Sequence, residues 1–265
     1  MLINKMVFNP KRYSSGELKL VKSELNKYIK DGKVEILYEN DLSFFELLII
    51  LKYYKKQNTK IDLILSYLPY QRMEHSGRDE LDTMHFVANI INDLKLESVV
   101  VCEPHCEIDC IDNSTSFSYL KKLKDIVIKE IGFDEETDNV VFTDNGGFKR
   151  YSKLFNGSIY FNKQRDLVSG LITKQEIVGK IKPDKKVLIV DDIISTGDTI
   201  VNIVEYLKMQ NVKQIYILCG HIENNKHNQR LQNYDIVKMM YSTNSLKKKE
   251  DKKIKLFNIR EIIYE

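Results

Sequence analysis

The segment Lys186–Ile200, reading KVLIVDDIISTGDTI, restricts the possible folds more than any other stretch of this 265-residue chain. Val187–Val190 is a short, aliphatic and largely β-branched run, as expected of a strand buried on both faces of a parallel sheet. Two carboxylates, Asp191 and Asp192, stand at its exit. The turn Ser195–Thr199 then runs straight into an amphipathic stretch ending at Met209, which has helical spacing. A buried strand that passes through a polar turn into a helix is half of a βαβ unit, and such units build parallel sheets covered by helices.

The same alternation continues along the chain. Ile61–Ser66, Ser98–Cys102, Asn139–Thr143, Lys186–Val190 and Gln214–Cys219 read as buried strands. Ser43–Lys56, Leu81–Lys95, Tyr119–Ile131, Gly197–Met209 and Asn224–Asn233 read as helices between them. An α/β protein is expected, with two Rossmann-like domains, each a largely parallel sheet flanked by helices. Residues 1–118 form the first and 119–265 the second, with the boundary near the Asn113–Ser118 loop; the halves show no internal repeat. Ligands of such folds bind at the carboxyl ends of the strands.

Composition removes several classes of function. Forty-one basic residues nearly cancel 38 acidic ones, a net charge of +3, so there is none of the basic excess that nucleic-acid binders show. No apolar stretch approaches the ~18 residues of a membrane span, and the N-terminus lacks a basic-then-apolar leader pattern. A cytoplasmic protein without membrane or nucleic-acid partners is therefore expected. Cys102, Cys106 and Cys110 lie four apart, with His105 among them, but no second ligand pair follows at zinc-site spacing. Reduced, packed thiols are the expected state.

The chemistry concentrates in the turn. Backbone N–H groups and hydroxyls at a helix N-terminus attract anions, because those donors are unpaired and the helix dipole favours negative charge there. Paired acids just before the turn are suited to accept hydrogen bonds from adjacent sugar hydroxyls. Ser195, Thr196, Gly197, Asp198 and Thr199, with Asp191 and Asp192, are thus candidates for a ribose-phosphate site. A plain βα-turn, capped by Ser195 or Thr196, is the alternative reading of the same residues.

The turn resembles the sugar-phosphate loop of type I phosphoribosyltransferases and, more closely, of ribose-phosphate pyrophosphokinases (PRPP synthetases). Other stretches, met in the order of the second family, separate the two. Arg12-Tyr13-Ser14-Ser15-Gly16-Glu17 is similar to its adenine-gripping segment, which implies nucleotide contacts by Tyr13, Ser15 and Glu17. Pro69-Tyr70-Gln71-Arg72-Met73-Glu74-His75 is similar to the run that meets the ATP phosphates, implying roles for Arg72 and Met73. Glu103-Pro104-His105 stands where a magnesium-holding run would be, so His105 is implied as both an ATP and a metal contact. Asp144-Asn145-Gly146-Gly147-Phe148-Lys149-Arg150 resembles the run that opens the second domain, with Asp144 the implied metal ligand. Lys163-Gln164-Arg165 is similar to the Lys-x-Arg of the mobile catalytic loop, which makes Lys163 and Arg165 the implied catalytic cations.

The resemblance implies two phosphoribosyltransferase-like domains, an N-terminal one binding ATP and a C-terminal one binding ribose phosphate. It further implies transfer of the β,γ-diphosphoryl group of ATP to ribose 5-phosphate with Mg2+, and a homo-oligomer. Departures qualify the substrate. The loop has Asp198 where the family has glycine, Met73 replaces a glutamine, and Glu103-Pro104 replaces Asp-Leu. An acid beside a phosphate dianion is unfavourable unless it points away. Met73, the Glu-Pro-His run and His221-Ile222-Glu223-Asn224 resemble a shorter branch found with nicotinamide-salvage enzymes. In that branch ADP-ribose can be the acceptor, giving ADP-ribose pyrophosphate for NAD rebuilding. A non-catalytic regulatory homologue and a phosphoribosyltransferase are the remaining alternatives, although the loop cations and Asp144 are retained.

Overall fold

The computed structural model describes residues 1–73, 81–165 and 172–265, the side chains of 163–165 and 172–175 excepted. The chain divides into two compact units, Met1–Ser118 and Tyr119–Glu265.

In the first unit the elements run β1 (Leu2–Ile3), β2 (Met6–Val7), β3 (Lys11–Arg12), β4 (Leu18–Lys19), α1 (Lys22–Asn26), β5 (Lys33–Tyr38), α2 (Phe44–Lys56), β6 (Lys60–Leu65), α3 (Thr83–Asn92), β7 (Ser98–Cys102) and β8 (Ser114–Phe117). The main sheet has the order β2-β1-β5-β6-β7-β8, parallel from β5 to β8 and antiparallel at β1. The helices follow from their sequences. Ser43 and Glu46 close a reciprocal cap at the start of α2, Glu46 N–H donating to Ser43 Oγ and Ser43 N–H to the Glu46 carboxylate. Leu47, Ile50, Leu51 and Tyr54 then fall on one stripe and are fully buried. Asp82 caps α3, which buries Met84, Val87, Ala88 and Ile91. The segment Ser114–Phe117, expected as loop, instead pairs with β7 as the edge strand β8.

The second unit continues with α4 (Tyr119–Ile131), β9 (Asn139–Phe142), α5 (Asn145–Phe155), β10 (Ile159–Arg165), β11 (Ile172–Val178), β12 (Lys186–Ile194), α6 (Asp198–Met209), β13 (Gln214–Ile222), a 3-10 turn at His227–Asn233, β14 (Val237–Thr243), β15 (Ile254–Phe257) and α7 (Ile259–Tyr264). Its sheet order is β11-β10-β9-β12-β13-β14-β15, parallel except where β10 meets β11. Both central strands are buried, with Val187–Val190 and Ile217–Cys219 inaccessible to solvent. This order positions the site. From β9 the chain passes through α5 to β10 on one side, and from β12 through α6 to β13 on the other. The winding reverses between β9 and β12, and the carboxyl ends of strands at such a switch point leave a crevice.

Two sequence expectations need correction here. The strand read as Lys186–Val190 extends to Ile194, so Asp191 and Asp192 lie within it. Pairing with β13, in which Asp191 faces Cys219 and Ile193 faces His221, carries the strand through residues of low β-propensity. The helix expected at Asn224–Asn233 is a 3-10 turn, since its polar sequence lacks a stripe wide enough to bury a longer helix.

Candidate functional site

In the second unit, the end of β9 delivers Asp144 to the crevice. Its backbone is extended, and its Oδ1 accepts the Gly147 N–H at 2.9 Å, capping α5. Gly146 packs close at this approach, since a Cβ there would lie 3.2 Å from the same carboxylate oxygen and displace it by a few tenths of an ångström. One turn further, Arg150 reaches Asp192, with Nη1 to Oδ2 at 3.4 Å. Arg150 belongs to the Asp144–Arg150 run but was not among the expected site residues; its location in a run already singled out was the available signal.

Asp191 is half-buried and Asp192 almost fully buried. Desolvation, followed by the nearby charges of Asp192 and Asp144, pushes the Asp191 carboxyl well above the usual carboxylate range. Three carboxylates thus crowd the strand ends at the switch point.

Beyond them the loop is held from behind. Ser195 Oγ donates to Glu223 Oε2 at 2.6 Å, and Glu223 N–H donates to the Ile194 carbonyl at 2.9 Å. Buried Asn228 donates through Nδ2 to the Ser195 carbonyl at 3.3 Å and the Glu223 carbonyl at 2.7 Å. Gly197 is the N-cap of α6, with φ of +80°, and makes no side-chain cap. Ser195 does not cap the helix, and the Thr196 hydroxyl accepts only a long bond from the Asp198 N–H, at 3.5 Å. A helix start so weakly capped is suited to an anion. Thr196 is exposed and Thr199 half-buried. Asp198 is exposed and paired: its carboxylate accepts the Thr196 hydroxyl and meets the Arg230 guanidinium, contacts that in that order hold its pKa below the ordinary value. The acid that replaces glycine in this loop is accordingly not an uncompensated charge. No local pattern pointed to Arg230, because its contact spans 32 positions.

Lys163 and Arg165 were expected on a loop. Their backbone belongs to β10, where Lys163 pairs in register with Gln175 and Arg165 with Ile172; their side chains lie outside the described residues.

The first unit assembles two groups. Tyr13, Ser15 and Glu17 share the turn between β3 and β4, closed by Tyr13 N–H to Glu17 O at 2.9 Å. Tyr13 is 54% exposed, with the Lys19 ammonium 5.8 Å from its ring centroid, and Ser15 Oγ donates to Glu17 Oε2 at 2.9 Å. Arg12 anchors this turn on α2 through Glu46 at 2.6 Å. Separately, buried Gln71 accepts the His105 N–H at 3.1 Å, joining the Arg72–Met73 segment to the half-buried His105 loop. Arg72 and Met73 are exposed beside it. Gln71 was quoted in its run without a role, and its Nε2 is a buried donor with no hydrogen-bond partner among the described residues. Glu74 and His75 lie outside the described residues.

Among the described residues no three His, Cys, Asp or Glu side chains form a metal cage. Mg2+ keeps several waters and takes one or two carboxylates together with phosphate oxygens. The carboxylate crowding around Asp144 and Asp191 is what a bound divalent cation would relieve. No helix of the described residues is long and apolar enough to cross a membrane.

A parallel sheet whose switch point holds carboxylates beside a glycine-capped helix defines a phosphoribosyltransferase-type α/β domain, and residues 155–254 match the phosphoribosyl transferase domain family. The ribose-phosphate pyrophosphokinase of Fusobacterium nucleatum subsp. nucleatum is 26% identical, across 89% of this chain and 82% of its own length. That of Sulfurisphaera tokodaii is 31% identical across 63% of this chain and 60% of its own. The crystal structure of phosphoribosylpyrophosphate synthetase from Mycobacterium smegmatis shares the fold, with a TM-score of 0.69 at 23% identity, over 83% of this chain and 74% of that one. Along most of its length this chain is thus similar to the ribose-phosphate pyrophosphokinases, a likeness that supports a diphosphokinase-type transferase.

Proposed function

We propose that this chain transfers the β,γ-diphosphoryl group of ATP to the anomeric hydroxyl of ribose 5-phosphate, producing PRPP and AMP. The observation that carries this reading is the convergence of Asp144, Asp191 and Asp192 at the switch point that opens onto Ser195–Thr199. In the reaction the anomeric oxygen bonds to the β-phosphorus, the bond from that phosphorus to the α,β-bridging oxygen breaks, and the hydroxyl proton is released. Such transfers depend on alignment and charge neutralisation more than on covalent help from the protein.

Each group then has a role. Asp191 and Asp192 accept the ribose hydroxyls, with Arg150 fixing Asp192. Residues 195–199 hold the 5′ phosphate with backbone N–H groups and hydroxyls. Tyr13 stacks on adenine while Ser15 and Glu17 read its edge, and Arg72, Met73 and His105 meet the triphosphate. Lys163 and Arg165 neutralise the transferred group as its charge spreads, an effect worth a few kcal/mol when the donors are preorganised. Mg2+ would come bound with ATP and would screen the phosphate charges; Asp144 is the ligand expected in the second unit and His105 the contact expected in the first. A cytoplasmic homo-oligomer is part of the same reading. Its support is the exposed i,i+4 pairs Phe45 and Ile49 on α2 and Phe86 and Ile90 on α3, which a second copy would cover.

ADP-ribose is the alternative acceptor. Its appeal rested on the resemblance of Met73, Glu103-Pro104-His105 and His221–Asn224 to the shorter branch and on the charge of Asp198; Arg230 compensates that charge, which removes the second ground and favours ribose 5-phosphate. The test is incubation of the chain with ATP and Mg2+ and each acceptor separately, following AMP release and the diphosphorylated product by phosphorus NMR. Turnover with ADP-ribose alone would transfer the reading to the alternative; AMP release with neither would overturn it.

A further inference from the structure

Arg230 is mounted at the edge of the sugar-phosphate loop. It sits on the 3-10 turn, where its Nε donates to the His227 carbonyl at 3.0 Å. One Nη contacts Asp198 and lies 3.5 Å from the Thr196 carbonyl. The turn itself is fastened to the loop. Asn228 bonds the Ser195 carbonyl, and Gly197 backs onto the turn so closely that a Cβ would come within 3.2 Å of Leu231 Cδ1 and 3.5 Å of Asn228 Cα. A guanidinium carries five donors in a planar fork that matches phosphate oxygens, and here its Nε is already committed to the backbone. The Nη groups can therefore change partner while the base of the fork stays in place.

We propose that Arg230 is a specificity-determining residue of the acceptor site, sharing its Nη donors between Asp198 and the acceptor's 5′ phosphate. The inference rests on the diphosphokinase reading above. A phosphate monoester carries about −1.5 to −2 charge at neutral pH, whereas the 5′-linked phosphate of a diphosphate diester carries a single negative charge. A monoester thus competes better with Asp198 for the guanidinium, and Arg230 biases the loop toward ribose 5-phosphate over ADP-ribose. Asp198 has the complementary effect of keeping Arg230 oriented and moderating its pull.

The experiment compares wild type with Arg230→Ala, Arg230→Lys and the double variant Arg230→Ala/Asp198→Asn. Dissociation constants for ribose 5-phosphate, ADP-ribose and ATP are measured calorimetrically with Mg2+, alongside thermal melts. Arg230→Ala is expected to weaken ribose 5-phosphate about tenfold and ADP-ribose about twofold or less, with ATP binding unchanged. Arg230→Lys should recover part of the loss, since it keeps the charge but not the fork. The double variant decides between contact and screening. If Arg230 touches the phosphate, it stays at least about threefold weaker than wild type. Recovery to wild-type affinity would mean that Arg230 only screens Asp198, and would overturn the inference. An unmoved ratio between the two acceptors in Arg230→Ala would also overturn it, leaving the diphosphokinase reading intact. A wild-type chain that binds neither acceptor would remove that reading and this inference together.

Discussion

Gly197→Ala tests whether the backbone of the sugar-phosphate loop is as tightly specified as the structure indicates. Gly197 has φ of +80°, a left-handed conformation that costs an alanine about 1–2 kcal/mol. The added methyl would also meet Leu231 Cδ1 at 3.2 Å, so the leucine or the 3-10 turn must give by a few tenths of an ångström. Together these make a loss of roughly 1.5–2.5 kcal/mol reasonable. For a unit the size of Tyr119–Glu265 that corresponds to a fall of about 3–10 °C in the melting temperature. Relaxing the strain tilts the first N–H groups of α6, so ribose 5-phosphate affinity should fall while ATP affinity is retained. Gly197→Asn separates the contributions, because asparagine tolerates the left-handed region but carries the same Cβ. Its melting shift should be less than that of alanine. Scanning calorimetry and acceptor titrations on the three proteins read both effects. An alanine variant that melts within about 1 °C of wild type with unchanged acceptor affinity would refute the argument.

Asp191→Asn should stabilise the protein while impairing acceptor use. Because the folded-state pKa of Asp191 is raised, the folded chain keeps a proton that the unfolded chain releases, and stability falls as pH rises from the ordinary carboxylate pKa through the raised one. The variant escapes that fall, so melts at pH 7–8 should show it above wild type, while its acceptor KM rises about tenfold. Lys163→Ala should lower kcat by about two orders of magnitude with little change in ATP affinity, as expected of a contact that tightens only as charge develops; equal losses in both would place Lys163 in ground-state binding. Phe45→Glu combined with Phe86→Glu should reduce the assembly measured by light scattering, and an unchanged mass would exclude these helix faces from the interface.

What could be read from the sequence depended on how local its cause is. Tyr119–Ile131 and Ser98–Cys102 were recognisable to the residue because periodicity alone sets them, one amphipathic stripe and one buried run. Lys33–Tyr38 escaped that reading, since Lys33 and Glu35 interrupt a short run whose strand character depends on pairing with β1 and β6. At the site, the acids and the loop were visible as a contiguous string. The groups that brace them were not: Arg150, Glu223, Asn228 and Arg230 act through contacts made only once neighbouring strands are in register. Gln71 is the same case, a residue inside a recognised run whose bond to His105 crosses 34 positions.

The sheet order explains why these braces come from one short stretch. β13 lies beside β12 and parallel to it, so residues just past the end of β13 emerge next to those just past the end of β12. Glu223, Asn228 and Arg230 occupy that exit and Ser195–Asp198 the other, and the hydrogen bonds between them follow from adjacency. The loop itself can then remain poorly self-satisfied, with a left-handed glycine, a weakly capped helix start and a carboxyl of raised pKa nearby. Such features destabilise a free-standing turn, and they persist here because Val187–Val190 and the strand beside it are fully buried beneath them. Stability is concentrated in the buried strands and strain at their ends, beside the loop proposed to hold the sugar phosphate. On this argument, ribose 5-phosphate should raise the melting temperature of the Tyr119–Glu265 unit more in wild type than in Asp191→Asn, because the variant lacks the carboxylate assigned to a ribose hydroxyl and binds the acceptor more weakly.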